Sequence, residues 1–104
     1  MDDAALRAVA SPRRRQILRL VWDQELSSGD IADHFDISWP AISQNLRVLQ
    51  DAGLVKCRHR GTTRLYRADR QRTRPLNTVL KAMWEADLDR LAELAEAEPK
   101  RGRR

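Results

Sequence analysis

Residues 38–54 read SWPAISQNLRVLQDAGL, and this stretch decides the fold. Ser38 is a favoured N-cap residue, Pro40 fits the first helical turn, and Gly53 readily adopts the left-handed conformation that ends a helix. Between these signals the apolar residues recur at three- and four-residue steps: Ile42, Leu46 and Leu49. The spacing predicts an amphipathic helix over about 38–52 with one face in the core.

Three helices are predicted before this stretch. The first covers about 3–10, and Ser11 with Pro12 starts a second helix over about 12–24. A short third helix covers about 28–35. Their apolar residues share helical spacing and are expected to face inward: Leu6, Val9 and Ala10, then Ile17, Leu18, Val21 and Trp22, then Ile31, Ala32 and Phe35.

The residues after Gly53 change from a helical to an alternating pattern. LVKCRH at 54–59 and RLYR at 64–67 alternate apolar and polar side chains, and the intervening RGTT favours a turn. The side chains expected to face inward on the first strand are Val55, Cys57 and His59. These segments predict a two-stranded hairpin with an arginine-rich tip, which must rest on the helices because an isolated hairpin is only marginally stable.

A last helix is predicted over about 75–98. Its apolar residues again recur at three- and four-residue steps: Leu76, Val79, Leu80, Met83, Trp84, Leu88, Leu91, Leu94 and Ala95. This is more apolar surface than the terminal helix of a small domain needs to bury, so we expect a subunit interface. The predicted organisation is one domain over 1–98 and a basic, disordered tail over 99–104.

Positive charge is concentrated in the middle of the chain. The net charge is +5, yet residues 38–74 alone carry nine Lys/Arg and two Asp/Glu, whereas residues 76–98 carry two Lys/Arg and six Asp/Glu. This distribution predicts a polyanionic partner. The arginines of the second helix either touch phosphates or form a solvated face: Arg13, Arg14, Arg15 and Arg19.

Several classes of protein are disfavoured by simple features of the sequence. No apolar run approaches the roughly 20 residues that span a bilayer, and the N-terminus lacks the segments of a secretory signal. The single cysteine, Cys57, suits a reducing cytosol. Glycine-rich phosphate loops, Cys/His nucleophile pairs and carboxylate dyads are absent. We therefore expect a cytoplasmic protein that is not an enzyme, has no cofactor and does not bind a membrane.

The helices over 28–35 and 38–52, followed by a basic hairpin, have the layout of a winged helix-turn-helix. In that layout the shorter helix supports the longer one, whose exposed face enters the major groove of double-stranded DNA. The residues predicted to contact DNA are Ser38, Trp39, Pro40, Ser43, Gln44 and Arg47 on the helix, and Arg58, Arg60, Thr62, Thr63 and Arg64 in the hairpin.

Three stretches closely resemble the ArsR-type winged helix-turn-helix repressors. They read ALRAVASPRRRQILRLV, ELSSGDIADHFDISWPAISQNLRVLQDAGLV and RHRGTTRLYR, and the resemblance covers residues 4–95. Its most specific part is the block S-x-P-A-I-S-x-x-L-x-V-L-x-x-A-G-L-V. The resemblance implies a mainly α fold of five helices with a two-stranded wing, and a repressor that leaves an inverted-repeat operator when an effector binds.

The resemblance also implies a homodimer formed by the first and last helices. Each subunit would then present one DNA-reading helix to its own half-site. Together with the apolar excess of the last helix, this predicts an interface made of Leu6, Val9, Leu80, Met83, Trp84, Leu88, Leu91 and Leu94.

The sequence departs from the metal-sensing members of that family. Their supporting helix opens with E-L-C-x-C-D-L, whereas this chain has Ser27 and Gly29 at the two cysteine positions. Neither residue supplies the thiolate that soft metals require. Along the last helix, another family metal site uses Asp and His, but this chain has only carboxylates: Asp87, Asp89, Glu93 and Glu96. We therefore expect no metal sensing, and no effector is identified.

Two alternative hypotheses come from the same residues. Winged helices also bind proteins through these surfaces, so a protein-interaction module without specific DNA binding is one alternative. The other is a thiol-redox-responsive repressor that uses Cys57. Trp39 also has two interpretations: its ring either approaches DNA or packs back on the supporting helix near Ile31 or Phe35.

Overall fold

The computed structural model describes residues 3–97 and confirms the mainly helical winged fold. The tail predicted over 99–104 lies outside the described residues, so the proposed domain limits stay a prediction. The helices are α1 (Asp3–Ala10), α2 (Pro12–Leu20), α3 (Ser28–Ala32), α4 (Trp39–Asp51), α5 (Arg70–Thr73) and α6 (Asn77–Ala97). The strands are β1 (Leu26–Ser27), β2 (Val55–Arg60) and β3 (Thr63–Ala68).

The second and third helices are shorter than their apolar pattern predicted. α2 ends at Leu20. Val21 and Trp22 follow the helix and are nevertheless buried in the core. α3 ends at Ala32. The chain then forms a tighter turn, in which backbone hydrogen bonds join residues that are three positions apart. In this turn the amide of Phe35 donates to the Ala32 carbonyl at 3.1 Å, and the Phe35 ring becomes half-buried against the core.

The start of the last helix also differs from the prediction. Residues Arg70–Thr73 form the short α5, and a 3-10 turn at Arg74–Leu76 contains Pro75. α6 therefore begins at Asn77 rather than at Pro75. α5 and the 3-10 turn fill the connection between the wing and α6, where the sequence shows no apolar repeat.

The predicted two-stranded wing is part of a three-stranded antiparallel sheet of order β1-β3-β2. β1 pairs with β3 through Leu26 opposite Tyr66 and Ser27 opposite Leu65. A strand of two residues is too short to show alternation, so the sequence pattern did not reveal it. Its pairing nevertheless attaches the wing directly to the segment between α2 and α3.

The register of the hairpin gives the wing two different faces. Cys57 lies opposite Tyr66 and Val55 opposite Ala68, and these four side chains pack toward the helices. His59 was predicted to face inward with them, but it is exposed. The reason is its position near the tip, where the strands extend beyond the helices and nothing covers their inner face.

The core contains apolar side chains from all four of the long helices. α4 contributes Ile42, Leu46 and Leu49, each at most 1% exposed. The Trp22 and Trp84 rings pack edge to face with their centroids 5.1 Å apart. Because α4 is buried along this whole stripe, its opposite face has a fixed orientation relative to the other helices.

Arg15 is the one buried arginine among the described residues, and it joins α1, α2 and α6. Its guanidinium donates to the carbonyls of Val9 and Ala10 at the end of α1, at 2.9 and 3.2 Å. It also forms two 3.0 Å hydrogen bonds to the carboxylate of Asp87 in α6. In the same place the indole N–H of Trp84 donates to the Arg15 carbonyl.

The other α2 arginines are also occupied within the subunit. Arg14 donates to the Ala8 carbonyl at 2.8 Å and reaches the side chain of Asn45 in α4 at 3.4 Å. The guanidinium groups of Arg13 and Arg19 lie over aromatic rings, 5.4 and 5.2 Å from the centroids. The interpretation of these arginines as a purely solvated face is therefore wrong, because their side chains contact neighbouring elements of the subunit.

We predict that Asp87→Asn destabilises the fold at neutral pH by about 2 kcal/mol, because it weakens a charge-assisted contact of a buried arginine. The hydrogen bonds from Arg15 hold the pKa of Asp87 below its ordinary value. The carboxylate therefore stabilises the fold above its unfolded pKa, and this contribution is lost as the pH falls through the folded pKa.

Urea unfolding of the wild type and Asp87→Asn at a series of pH values measures this difference. Asp89→Asn is the matched control, since it removes the same charge from an exposed position two residues away. We expect the Asp87→Asn deficit to shrink in acid and the control to stay near the wild type. Equal stability of the two variants at neutral pH would contradict the assigned role of Asp87.

Candidate nucleic-acid interface

Helix α4 has well-defined ends. The Ser38 hydroxyl accepts a hydrogen bond from the Ala41 amide at 3.3 Å, and Pro40 lies in the first turn. At the other end Gly53 has φ of 79°. The amide of Leu54 donates to the Leu49 carbonyl, and the amide of Gly53 donates to the backbone carbonyl of Gln50. These two bonds form a Schellman motif. The predicted Ser38 therefore serves α4 as its cap.

The exposed face of α4 carries the residues predicted to contact DNA. With the core stripe buried, the side chains left exposed on this face are Trp39, Pro40, Ser43, Gln44 and Arg47. Gln50 is also exposed and lies three residues after Arg47 on the same face. This residue was missed, although its spacing from Ser43 and Arg47 was a usable signal.

A cleft of about 440 Å³ separates α4 from the wing. It is lined by Ser43, Arg47, Gln50, Asp51, Arg64 and Tyr66. Burial raises the pKa of the Tyr66 phenol, while the neighbouring Arg64 guanidinium acts in the opposite direction. The fold thus brings Arg47 and Arg64 to one opening, although they are 17 positions apart in the sequence.

The wing arginines divide between the two faces of the sheet. Arg64 alternates with Tyr66 and Ala68 on β3, so it lies on the side that faces α4. Arg58 and Arg60 alternate with Cys57 on β2 and therefore lie on the outer side. The predicted tip residues Arg60, Thr62 and Thr63 are all exposed.

Arg58 is engaged by an acidic residue of its own subunit. Its guanidinium makes two hydrogen bonds to the Glu25 carboxylate, at 2.6 and 2.8 Å. These bonds, and then the positive charges of Arg58, Arg60 and Arg67, hold the pKa of Glu25 below its ordinary value. The sequence predicted that Arg58 contacts DNA. In the structure it points to the outer side of the wing, away from α4, and is paired with Glu25.

Of the two residues at the family's cysteine positions, Ser27 has a local structural role. The Ser27 hydroxyl caps α3 by accepting a 3.0 Å bond from the Asp30 amide. A methyl group placed on Gly29 would lie 4.0 Å from a ring carbon of Trp39. Within residues 3–97, no three His, Cys, Asp or Glu side chains come together as a metal ion would require. The Glu96 side chain lies outside the described part.

The residues predicted for the dimer interface are only partly available to a partner. Val9, Leu80 and Trp84 are at most 5% exposed and pack inside the subunit, so their assignment to an interface is corrected. Met83 is half-buried. The remaining members are 42–56% exposed: Leu6, Leu88, Leu91 and Leu94. None of the described helices has both the length and the apolar character that a membrane crossing needs.

Sequence comparisons agree with this geometry. The profile described as "Bacterial regulatory protein, arsR family" matches residues 11–56. The HTH-type transcriptional regulator Rv2034 of Mycobacterium tuberculosis is 36% identical over 92% of this chain and 90% of its own length. The chain belongs to the ArsR family. It is therefore a DNA-binding transcriptional regulator and not an enzyme.

Solved structures of similar proteins have the same fold. A protein described as a "possible transcriptional regulator for arsenical resistance" is 39% identical, with a TM-score of 0.67 over 89% of this chain and 96% of its own. The homodimeric winged helix-turn-helix DNA-binding domain Mb0332 of Mycobacterium bovis is 29% identical. Its TM-score is 0.69 over 79% of this chain and 76% of its own.

We predict that Arg58→Ala raises the pKa of Glu25 toward its ordinary value, because the substitution removes the largest cause of the depression. Carbon-13 NMR titration of the carboxylate measures this pKa directly. Arg67→Ala serves as the control, since Arg67 contributes least among the three arginines, and we expect it to produce a smaller rise. An unaltered Glu25 pKa in Arg58→Ala would show that the pair does not form in solution.

Proposed function

We propose that this ArsR-family regulator is a cytoplasmic homodimeric repressor that reads an inverted-repeat operator with α4. The observation that carries the proposal is the exposed face of α4 with Ser43, Gln44 and Arg47. Ser43 and Arg47 also line the cleft that contains Arg64. Side chains with hydroxyl, amide or guanidinium groups can recognise base edges in the major groove. Occupation of the operator would block transcription by excluding other proteins.

Within this proposal, the residues of α4 and of the wing have different tasks. Gln44 and Arg47 are suited to base edges, while Ser43 is suited to a phosphate or a base edge. Arg64 and Arg60, with Thr62 and Thr63, would contact the sugar-phosphate backbone or the adjacent minor groove. Arg58 is left out of this set because Glu25 already neutralises it on the outer face.

The homodimer is supported by the apolar face of α6. Leu80 and Trp84 lie on the half of α6 that is buried in the core. At helical spacing, Leu88, Leu91 and Leu94 continue this face into the second half of α6, where they are more than half exposed. Exposed apolar surface of this kind favours association. A twofold axis would pair this face with its copy and place two α4 helices about one turn of DNA apart.

We predict that Arg64→Ala reduces the salt dependence of DNA binding. Loss of one phosphate contact flattens the slope of log K against log salt by about one unit. Arg58→Ala removes the same charge from the other face of the same wing and is expected to leave the slope unchanged. Fluorescence anisotropy, with a duplex that the full chain selects from a random library, measures both slopes.

The same measurement tests the proposed function as a whole. A selected duplex should bind more tightly than a scrambled one at each salt concentration, and binding should weaken as salt rises. If no salt-sensitive specific complex forms with any selected duplex, the regulator reads no operator by itself and a protein-interaction module takes precedence. An equal change of slope in Arg58→Ala and Arg64→Ala would contradict the division of the wing into two faces.

We predict that Leu91→Glu converts the dimer into a monomer with weak operator binding, because it places a charge in the apolar interface. Ala86→Glu introduces the same charge on the opposite, exposed side of α6 and should remain dimeric. Light scattering after gel filtration measures the mass, and circular dichroism verifies that both variants fold. A dimeric Leu91→Glu variant would move the interface away from α6.

A further inference from the structure

Trp39 is an exposed aromatic residue that the proposed dimer does not cover. Six large apolar side chains are exposed among those that the structure describes, and five of them lie on α1 and α6. The sixth is Trp39, which is 53% exposed on the face of α4 that carries Ser43 and Arg47. An exposed indole keeps a large apolar surface in water, so a ligand that covers the ring gains binding free energy.

One edge of the Trp39 ring lies near the supporting helix. A methyl group at Gly29 would be 4.0 Å from the ring carbon Cζ2 of Trp39 and 3.8 Å from the Ser27 hydroxyl oxygen. The six-membered edge of the indole therefore lies next to the first turn of α3, where Gly29 contributes no side chain. Trp39 is nevertheless 53% exposed.

The backbone that carries Trp39 is also fixed. Ser38 caps α4 immediately before it, and Pro40 follows in the first turn. In helix-turn-helix proteins the first turns of the reading helix are the part that meets base edges. About one and two turns later, Ser43 and Arg47 offer polar groups, so the indole supplies the apolar part of this surface.

We propose that Trp39 contacts the 5-methyl group of a thymine in each half-site and thereby determines the preferred base at that position. In the major groove the thymine methyl group is the distinctive apolar feature, beside the hydrogen-bonding groups, and apolar side chains recognise it. The inference rests on the proposed function, because it assigns α4 to the major groove. To that function it adds a preference for thymine at one position of each half-site, and it names Trp39 as the residue responsible.

The test compares a selected duplex with the same duplex in which deoxyuridine replaces thymidine. Deoxyuridine lacks only the 5-methyl group and keeps the hydrogen-bonding groups of thymine. Binding of the full chain is measured for the wild type, Trp39→Gln and Trp39→Phe, first with all thymines replaced and then with single replacements. Two variants are needed because phenylalanine keeps an apolar ring without the indole N–H donor, whereas glutamine is polar.

We expect the wild type to lose about fourfold in affinity for each contacted methyl group, and about fifteenfold for two half-sites. Trp39→Gln should bind the thymine and deoxyuridine duplexes with nearly equal affinity, and Trp39→Phe should retain most of the discrimination. Single replacements should locate the loss at one symmetric pair of positions. The double-mutant cycle between ring and methyl group removes any effect of deoxyuridine on the shape of the duplex.

Three results would overturn the inference. Equal losses for the wild type and Trp39→Gln would show that the methyl effect does not pass through the ring. Selected half-sites without a thymine would exclude the contact. Equal affinity of the wild type for the thymine and deoxyuridine duplexes, with weaker binding of both by Trp39→Phe, would indicate that the indole N–H recognises an acceptor instead. In all three cases salt-dependent specific binding persists, so the proposed function stands. Complete absence of specific DNA binding would overturn the proposed function and the role of Trp39 together.

Discussion

The buried guanidinium of Arg15 is the constraint on which the arrangement of the helices depends. A buried charge is tolerated only when its donors are satisfied, and here the acceptors come from the carboxyl end of α1 and from Asp87 in α6. α2, which carries Arg15, also contacts α4 through Arg14 and Asn45. The elements proposed to form the dimer are thereby connected through α2 to the helix proposed to read DNA.

The wing shows how strand register gives similar residues different tasks. Arg58 and Arg64 are both exposed arginines of one hairpin, yet alternation places them on opposite faces. Glu25 neutralises Arg58 on the outer side, while Arg64 lines the cleft beside α4. Glu25 thus offsets the charge of Arg58 on the outer face, where Arg60 also lies, while the charge of Arg64 stays beside α4. The short β1 strand, which follows Glu25, holds this acidic residue next to the wing.

Local patterns predicted the helices and the exposed face of α4 well, but they could not predict contacts between residues that are distant in the sequence. The periodicity of Ile42, Leu46 and Leu49 was confirmed because a single stripe on one helix determines which face is buried. The assignment of Leu80 and Trp84 to a subunit interface was wrong, because periodicity marks an apolar face without saying what covers it. His59 followed the strand pattern and yet is exposed, since the hairpin extends past the helices there.

The sequence by itself determined the helices, the hairpin and the family, because caps, apolar spacing and turn residues act over a few neighbouring positions. The tertiary structure decided which charges are free. It placed Arg15 in the core, paired Arg58 with Glu25, and left Arg64 beside Arg47. It also placed one edge of the Trp39 ring near Gly29 and left the residue 53% exposed. These contacts join residues far apart in the chain, and only packing of the whole domain brings them together.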